Sequence, residues 1–145
     1  MTKPKVLFLC TANSARSQMA EVLLRKYAGD RFDVYSAGLE PTAVHPYAMK
    51  VMAEIGIDMA GQRAKGVGEF LGKMNPAYVI TVCEKARQRC PTTFPATGAT
   101  MIAWPIEDPA AAEGAEEDRL RKFREARDQI AARIKAWLEA LDSRP

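Results

Sequence analysis

The chain has a single histidine, His45, and three cysteines, Cys10, Cys83 and Cys90, none at a Cys-x-x-Cys spacing. That scarcity argues against a structural zinc site, which draws its ligands from closely spaced cysteine and histidine pairs. An odd cysteine count also argues against a static disulfide framework, so these thiols are expected to act as nucleophiles, as redox groups or as core residues. No apolar run approaches the roughly 20 residues of a membrane span. Only about five apolar residues follow the charged start Met1-Thr2-Lys3-Pro4-Lys5, too few for the apolar part of a signal peptide. The expectation is a cytoplasmic protein with no membrane partner. There is no one-sided basic face either. Net charge is +3, and acidic and basic residues alternate, above all after residue 113, so nucleic acid is not an expected partner.

What is there reads as one domain spanning 1–145, since 145 residues with 48% hydrophobic and 27% charged content suit a single core. Val6 to Leu9 is a short continuous apolar run, read as a strand buried on both faces. Ser17 to Tyr27 places Met19, Val22 and Leu23 at helical spacing, and Gly29 stops it. Phe32 to Ser36 reads as a second strand, closed by Gly38. Pro46 to Ile55 reads as a second helix, entered through His45-Pro46 and ended by Gly56. Residues 60–76 hold four glycines and one proline around Val67 to Leu71, a loop with a helical turn or two. Ala77 to Val82 is a third strand that runs into Cys83. Glu84 to Arg89 has helix-forming composition, and Pro91 ends it. Thr100 to Trp104 reads as a fourth strand. Glu116 to Leu141 reads as a long amphipathic helix, with Leu120, Phe123, Ile130, Ile134, Trp137, Leu138 and Leu141 on its core-facing stripe. Trp104 is expected in the core, and His45 as a loop or cap residue.

Strands thus alternate with helices, which predicts an α/β fold, a four-stranded parallel sheet with helices on both faces. In such sheets ligands bind beyond the carboxyl ends of the strands. Cys10 leaves the first strand, Cys83 leaves the third, and Asp108 follows the fourth. All three should emerge on one edge of the sheet.

The run Cys10-Thr11-Ala12-Asn13-Ser14-Ala15-Arg16-Ser17 has the composition of an anion-binding loop around a sulfur nucleophile. A cysteine reacts as thiolate, which a nearby cation and unpaired N–H groups favour. Arg16 supplies the cation and can clamp two anion oxygens. The loop and the start of the following helix supply the N–H groups. Ala12, Ser14 and Ala15 are small enough for close approach. Asn13 suits a left-handed turn position. A hydroxyl of Ser17 or Ser14 can bond the sulfur. Asp108, before Pro109, is a candidate general acid if burial holds its proton, with Glu107 a lesser candidate.

The chain resembles the thioredoxin-coupled arsenate reductases built on the low-molecular-weight tyrosine phosphatase fold. The matching segments are Phe8-Leu9-Cys10-Thr11, Asn13-Ser14, Arg16-Ser17-Gln18-Met19-Ala20-Glu21, Tyr35-Ser36-Ala37-Gly38, Gly56-Ile57-Asp58, Thr81-Val82-Cys83, Cys90-Pro91, and Trp104 with Glu107-Asp108-Pro109. The resemblance implies catalysis by Cys10, Arg16, Cys83, Cys90 and Asp108, with arsenate held by residues 11 to 17. It implies a relay in which Cys10 attacks arsenic, Cys83 attacks Cys10, and Cys90 attacks Cys83. Thioredoxin would then reduce the last disulfide, with glutaredoxin the alternative donor. No cofactor is implied, and a monomer is expected. Reduction of arsenate takes two electrons, which one dithiol supplies on forming a disulfide.

Two positions depart from the family pattern. Ala15 stands where many relatives carry a further cysteine outside the relay. Some relatives bind potassium near residues matching Asn13, Glu21 and Ser36, with an acidic fourth ligand. Lys65 falls at that place here, so its ammonium is expected to replace the ion. If Glu84 to Arg89 is helical, Cys83 and Cys90 lie about 10.5 Å apart along the axis. A disulfide needs Cα atoms within roughly 7 Å, so the helix must unwind for the bond to form. Two other readings stay open: a low-molecular-weight protein-tyrosine phosphatase, and a non-enzymatic oxyanion-binding or sensing module. Ala110-Ala111-Ala112 follows Asp108-Pro109 where such phosphatases carry ring-gripping aromatics, which argues against the first. The second would leave Cys83 and Cys90 without a task.

Overall fold

The computed structural model describes residues 2–144. Four strands, β1 (Lys5–Cys10), β2 (Asp33–Gly38), β3 (Tyr78–Thr81) and β4 (Thr100–Ala103), form one sheet in the order β2-β1-β3-β4. Every pairing is parallel, as the alternation with helices requires. Val6, Leu7, Phe8 and Leu9 of the central strand are all fully buried, so both faces of β1 are covered. The helices are α1 (Arg16–Ala28), α2 (Pro46–Ala53), α3 (Glu84–Arg89), α4 (Thr93–Ala96) and α5 (Glu116–Asp142). Among the described residues no helix is long and apolar enough to cross a membrane.

The apolar stripe of α5 explains its docking. Leu120, Phe123, Ile130 and Ile134 are buried, while Trp137, Leu138 and Leu141 are half-buried against the same core. Burying each such side chain contributes about 1.5–3 kcal/mol. Trp137 packs against Phe32, Tyr78 and Trp104 with ring centroids 5.4, 5.1 and 6.3 Å away.

The element ends differ from the sequence reading for identifiable reasons. Phe32 is not yet strand, because its N–H still donates to Ala28 O; the ladder begins when Asp33 N–H reaches Pro4 O. α2 ends at Ala53, and Gly56 at φ +80° takes the left-handed position that turns Ile57 N–H back onto Met52 O. The sequence reading missed α4 and a 3₁₀ turn over Pro109–Ala111. Both are a single turn long, too short for a periodic signal. The patch at Val67 does form one 3₁₀ turn, Val67–Glu69.

Candidate active site

β1 delivers Cys10 to the carboxyl edge of the sheet, where it pairs in register with Gly38 of β2. The chain then curls through residues 11–15 into α1. Asn13 is the one non-glycine residue at positive φ among the described residues, at 50°, and this turn aims its N–H at the Cys10 sulfur, 3.2 Å away. Ser17 Oγ lies 2.8 Å from the same sulfur. The direction of that bond follows from its neighbours. The Lys65 backbone N–H donates to Asn13 Oδ1 at 2.8 Å, so Asn13 Nδ2 is free to donate to Ser17 Oγ, at 2.8 Å, and to Ser36 Oγ, at 3.0 Å. Ser17 therefore keeps its own hydrogen for Cys10. Two donors meet the sulfur, and both stabilise negative charge on it.

The loop is held from outside as well. Leu39, Glu40 and Thr42 N–H groups donate to the carbonyls of Cys10, Thr11 and Ala12, and the His45 N–H donates to Ser14 O at 2.9 Å. A Cβ at Gly38 would stand 2.7 Å from Thr11 O and 2.8 Å from Asn13 N, so only glycine lets β2 lie this close. His45 is a cap: its Nδ1 accepts from Tyr47 N–H at 3.0 Å. Burial and the Arg119 charge lower its pKa, against an opposing pull from Asp108.

Cys10 and Cys83 open into one cavity of about 420 Å³. Thr11, Ala12, Ser14, Ala15 and Arg16 line it, as expected for residues that hold an anion. Asn13 and Ser17 do not; they are fully buried behind the loop and act on the sulfur and the backbone. Cys83 lies two residues beyond β3 and caps α3, its sulfur accepting from Ala86 N–H at 3.3 Å. The Thr11 hydroxyl lies 3.4 Å from the Cys83 sulfur and so links the second cysteine to the loop. The Arg16 guanidinium donates to Ile106 O at 2.9 Å, with Asp108 at 3.9 Å.

Not every expected residue gathers here. Cys90 sits at the far end of α3, half-buried, in a separate groove with Thr81, Arg87 and Met101. Its burial pushes the thiol pKa up. Cys10, Cys83 and Cys90 are all free thiols, and only the first two share a cavity. Asp108 does line that cavity, but it is not the buried carboxyl that the sequence reading called for: its side chain is 47% exposed. Its Oδ1 accepts from Ala110 N–H, because Asp108 also caps the 3₁₀ turn that Pro109 starts. Glu107 is exposed and lines a different, smaller pocket.

Behind the loop lies a buried polar cluster. Glu21 accepts from Ser36 Oγ and from Arg25 and Gln62. Burial raises the Glu21 pKa, but the Ser36 bond, the Lys65 charge and the bonds from Arg25 and Gln62 outweigh it, and the net direction is down. The Lys65 ammonium lies 3.6 Å from Glu21, 3.5 Å from Ser36 Oγ and 2.9 Å from Arg63 O. Gln18 Nε2 reaches Asn13 O, Asn13 Oδ1 and Arg63 O. The sequence reading assigned Gln18 and Gln62 no contact and took Gly38 only as the close of the second strand. For Gly38 the usable signal was a glycine directly closing a strand beside the loop-bearing one; the glutamines carried none. Among the described residues no group of three His, Cys, Asp or Glu side chains is placed to hold a metal ion.

The profile of low molecular weight phosphotyrosine protein phosphatases matches residues 5–144. An arsenate reductase of Halalkalibacterium halodurans is 45% identical over 140 residues, 96% of this chain and 98% of the relative. A solved structure of an arsenate reductase in its phosphate-binding state superposes with a TM-score of 0.80 at 31% identity, covering 94% of this chain and 98% of the other. A thioredoxin-dependent arsenate reductase of Corynebacterium glutamicum gives 0.74 at 29% identity, over 97% of this chain and 62% of the longer one. The chain belongs to the low molecular weight phosphotyrosine protein phosphatase family, alongside these arsenate reductases.

Proposed function

We propose that the protein reduces arsenate to arsenite through a three-cysteine relay recharged by thioredoxin. The observation that carries this reading is the sharing of one cavity by Cys10, on its anion loop, and Cys83, with Thr11 bonded to the second sulfur. A hydrolytic phosphatase needs only the first thiol.

Arsenate enters the loop formed by Thr11, Ala12, Asn13, Ser14, Ala15, Arg16 and Ser17. Arg16 turns from the Ile106 carbonyl to two substrate oxygens, exchanging one neutral acceptor for a charged pair. The Cys10 thiolate attacks arsenic, and one arsenic oxygen leaves as water. Asp108, exposed at the cavity mouth, takes up a proton from solvent and passes it to that oxygen. Cys83 then attacks the Cys10 sulfur. The S–As bonding pair passes to arsenic, arsenite departs, and Cys10–Cys83 is left as a disulfide. Cys90 attacks Cys83 and frees Cys10. The Cys83–Cys90 bond that results is reduced by the dithiol of thioredoxin, with glutaredoxin the alternative.

Cys90 reaches Cys83 only if residues 83–90 change shape. The six residues of α3 separate the two by about 10.5 Å along a helix, against a disulfide limit of roughly 7 Å. Unwinding α3 carries the oxidised pair outward to its reductant. The Lys65 ammonium serves as the built-in cation of the Glu21–Ser36–Asn13 cluster and makes a potassium ion superfluous. Residues 1–145 work as one domain, as a monomer in the cytoplasm, where thiols are kept reduced. Electrons come from thiols alone, so the cycle calls for no cofactor.

The test is arsenate-dependent NADPH oxidation with thioredoxin and thioredoxin reductase. Sustained turnover supports the relay. Hydrolysis of p-nitrophenyl phosphate without any NADPH consumption would instead make the protein a phosphatase.

A further inference from the structure

Lys85 is the second residue of α3, exposed, and lines the cavity that holds Cys10, Arg16 and Cys83. Other cations around it are engaged. Arg16 is bonded to Ile106 O, Arg87 holds Glu84 at 2.9 Å, and Arg89 lies 3.5 Å from Glu40. Glu84 also lines the cavity, but Arg87 offsets its charge and Gln88 bonds the same oxygen. Lys85 makes no ion pair and no side-chain hydrogen bond among the described residues. Asp108, the other carboxylate lining the cavity, lies 3.9 Å from Arg16, so Lys85 is a cation at the rim of an anion pocket with no carboxylate paired to it among the described residues.

Lys85 also sits on the segment that oxidation must remodel. It lies between Cys83 and Cys90, and a helix there holds the two sulfurs too far apart to bond. When α3 unwinds, the backbone that places Lys85 at the cavity is lost. We propose that Lys85 belongs to the oxyanion site only while Cys83 and Cys90 are reduced, so that the pocket's hold on its anion depends on redox state. This rests on reading the Cys10 loop as the oxyanion site and Cys83–Cys90 as a disulfide pair. By linkage, a bound anion then stabilises the dithiol form by the same factor that reduction strengthens binding. The consequence for turnover is direct. The oxidised enzyme holds phosphate and arsenate weakly while it waits for its reductant, and regains its grip once it can react again.

The experiment uses the full chain carrying Cys10→Ser, which leaves Cys83 and Cys90 as its only thiols. Diamide oxidises them, taking up two electrons and two protons as the S–S bond forms. Inorganic phosphate is titrated calorimetrically into reduced and oxidised protein, with Lys85 intact, as Lys85→Met and as Lys85→Arg. In the reduced state Lys85→Met weakens binding about fivefold, the loss shrinks as salt is added, and Lys85→Arg retains most of the affinity. In the oxidised state Lys85→Met binds no more weakly than its parent. Phosphate binding by the reduced parent with no loss on Lys85→Met overturns the inference and leaves the pocket reading standing. A fivefold loss that survives oxidation overturns the redox dependence. A reduced parent that binds no phosphate overturns the pocket reading, and the inference falls with it.

Discussion

Replacing Gly38 by alanine places a methyl group where the anion loop already stands. The added Cβ would meet Thr11 O at 2.7 Å, Asn13 N at 2.8 Å and the Ala12 carbonyl carbon at 3.0 Å. These are backbone atoms, with no flexible side-chain end to swing aside. Relief to an ordinary contact moves the loop by roughly half an ångström or more, as overpacking does elsewhere. That shift loosens the bonds from Leu39 and Glu40 N–H to Cys10 O and Thr11 O, at 3.1 and 2.8 Å. The stability cost is about 1–3 kcal/mol. The cost to catalysis is larger, because a displacement approaching 1 Å in a reacting geometry removes up to about 100-fold in rate. The assay pairs urea denaturation with the single-turnover rate of arsenite formation. Gly68→Ala is the control, since a Cβ there meets nothing within 4 Å. Gly38→Ala should lose at least about tenfold in rate while the control stays near wild type. Full rate and full stability in Gly38→Ala would refute the claim that close backbone approach shapes this loop.

Other outcomes follow from the same geometry. Thr11→Val removes the hydroxyl beside Cys83, so release of arsenite from the Cys10 adduct should slow about three- to tenfold, with adduct formation little changed; rapid quench separates the two steps. Asn13→Ala leaves the Lys65 N–H unpaired in a buried cluster and should cost about 2–4 kcal/mol in urea. Glu21 has a lowered folded pKa, so its contribution to stability is fully present above the ordinary glutamate value and is lost as pH falls through the lower folded one. Lys65→Met removes a cause of that lowering and should move the acid-unfolding midpoint to higher pH, read by circular dichroism. With Lys65 in place, potassium and sodium at equal ionic strength should give equal turnover and equal Tm. Amide exchange in residues 84–89 should rise on oxidation; unchanged protection would contradict the unwinding of α3.

Much of this was legible in the chain because it rests on local signals. Val6 to Leu9 is a four-residue apolar run, and it is the fully buried central strand. The α5 stripe repeats over many turns. The small, polar stretch between Cys10 and Arg16 announces a tight loop, and Asn13 takes the left-handed position expected of it. The strand ends placed Cys10, Cys83 and Asp108 on one edge of the sheet, as they are. Individual contacts across the fold were not legible: Thr11 and Cys83 are 72 residues apart, and neither segment shows that this hydroxyl meets that sulfur. Exposure of Asp108 also depends on how the 3₁₀ turn after Pro109 packs, which composition does not reveal. Cys90, which the proposed relay pairs with Cys83, lies at the opposite end of α3, whose helical form fixes their separation.

The most direct test traps the electron hand-off. Cys90→Ser protein is given arsenate without any reductant, the thiols are blocked, and the disulfides are mapped by peptide mass spectrometry while arsenite is counted. The relay predicts one arsenite per chain and a Cys10–Cys83 bond. Arsenite absent, or formed with Cys10 and Cys83 both still reduced, would contradict it.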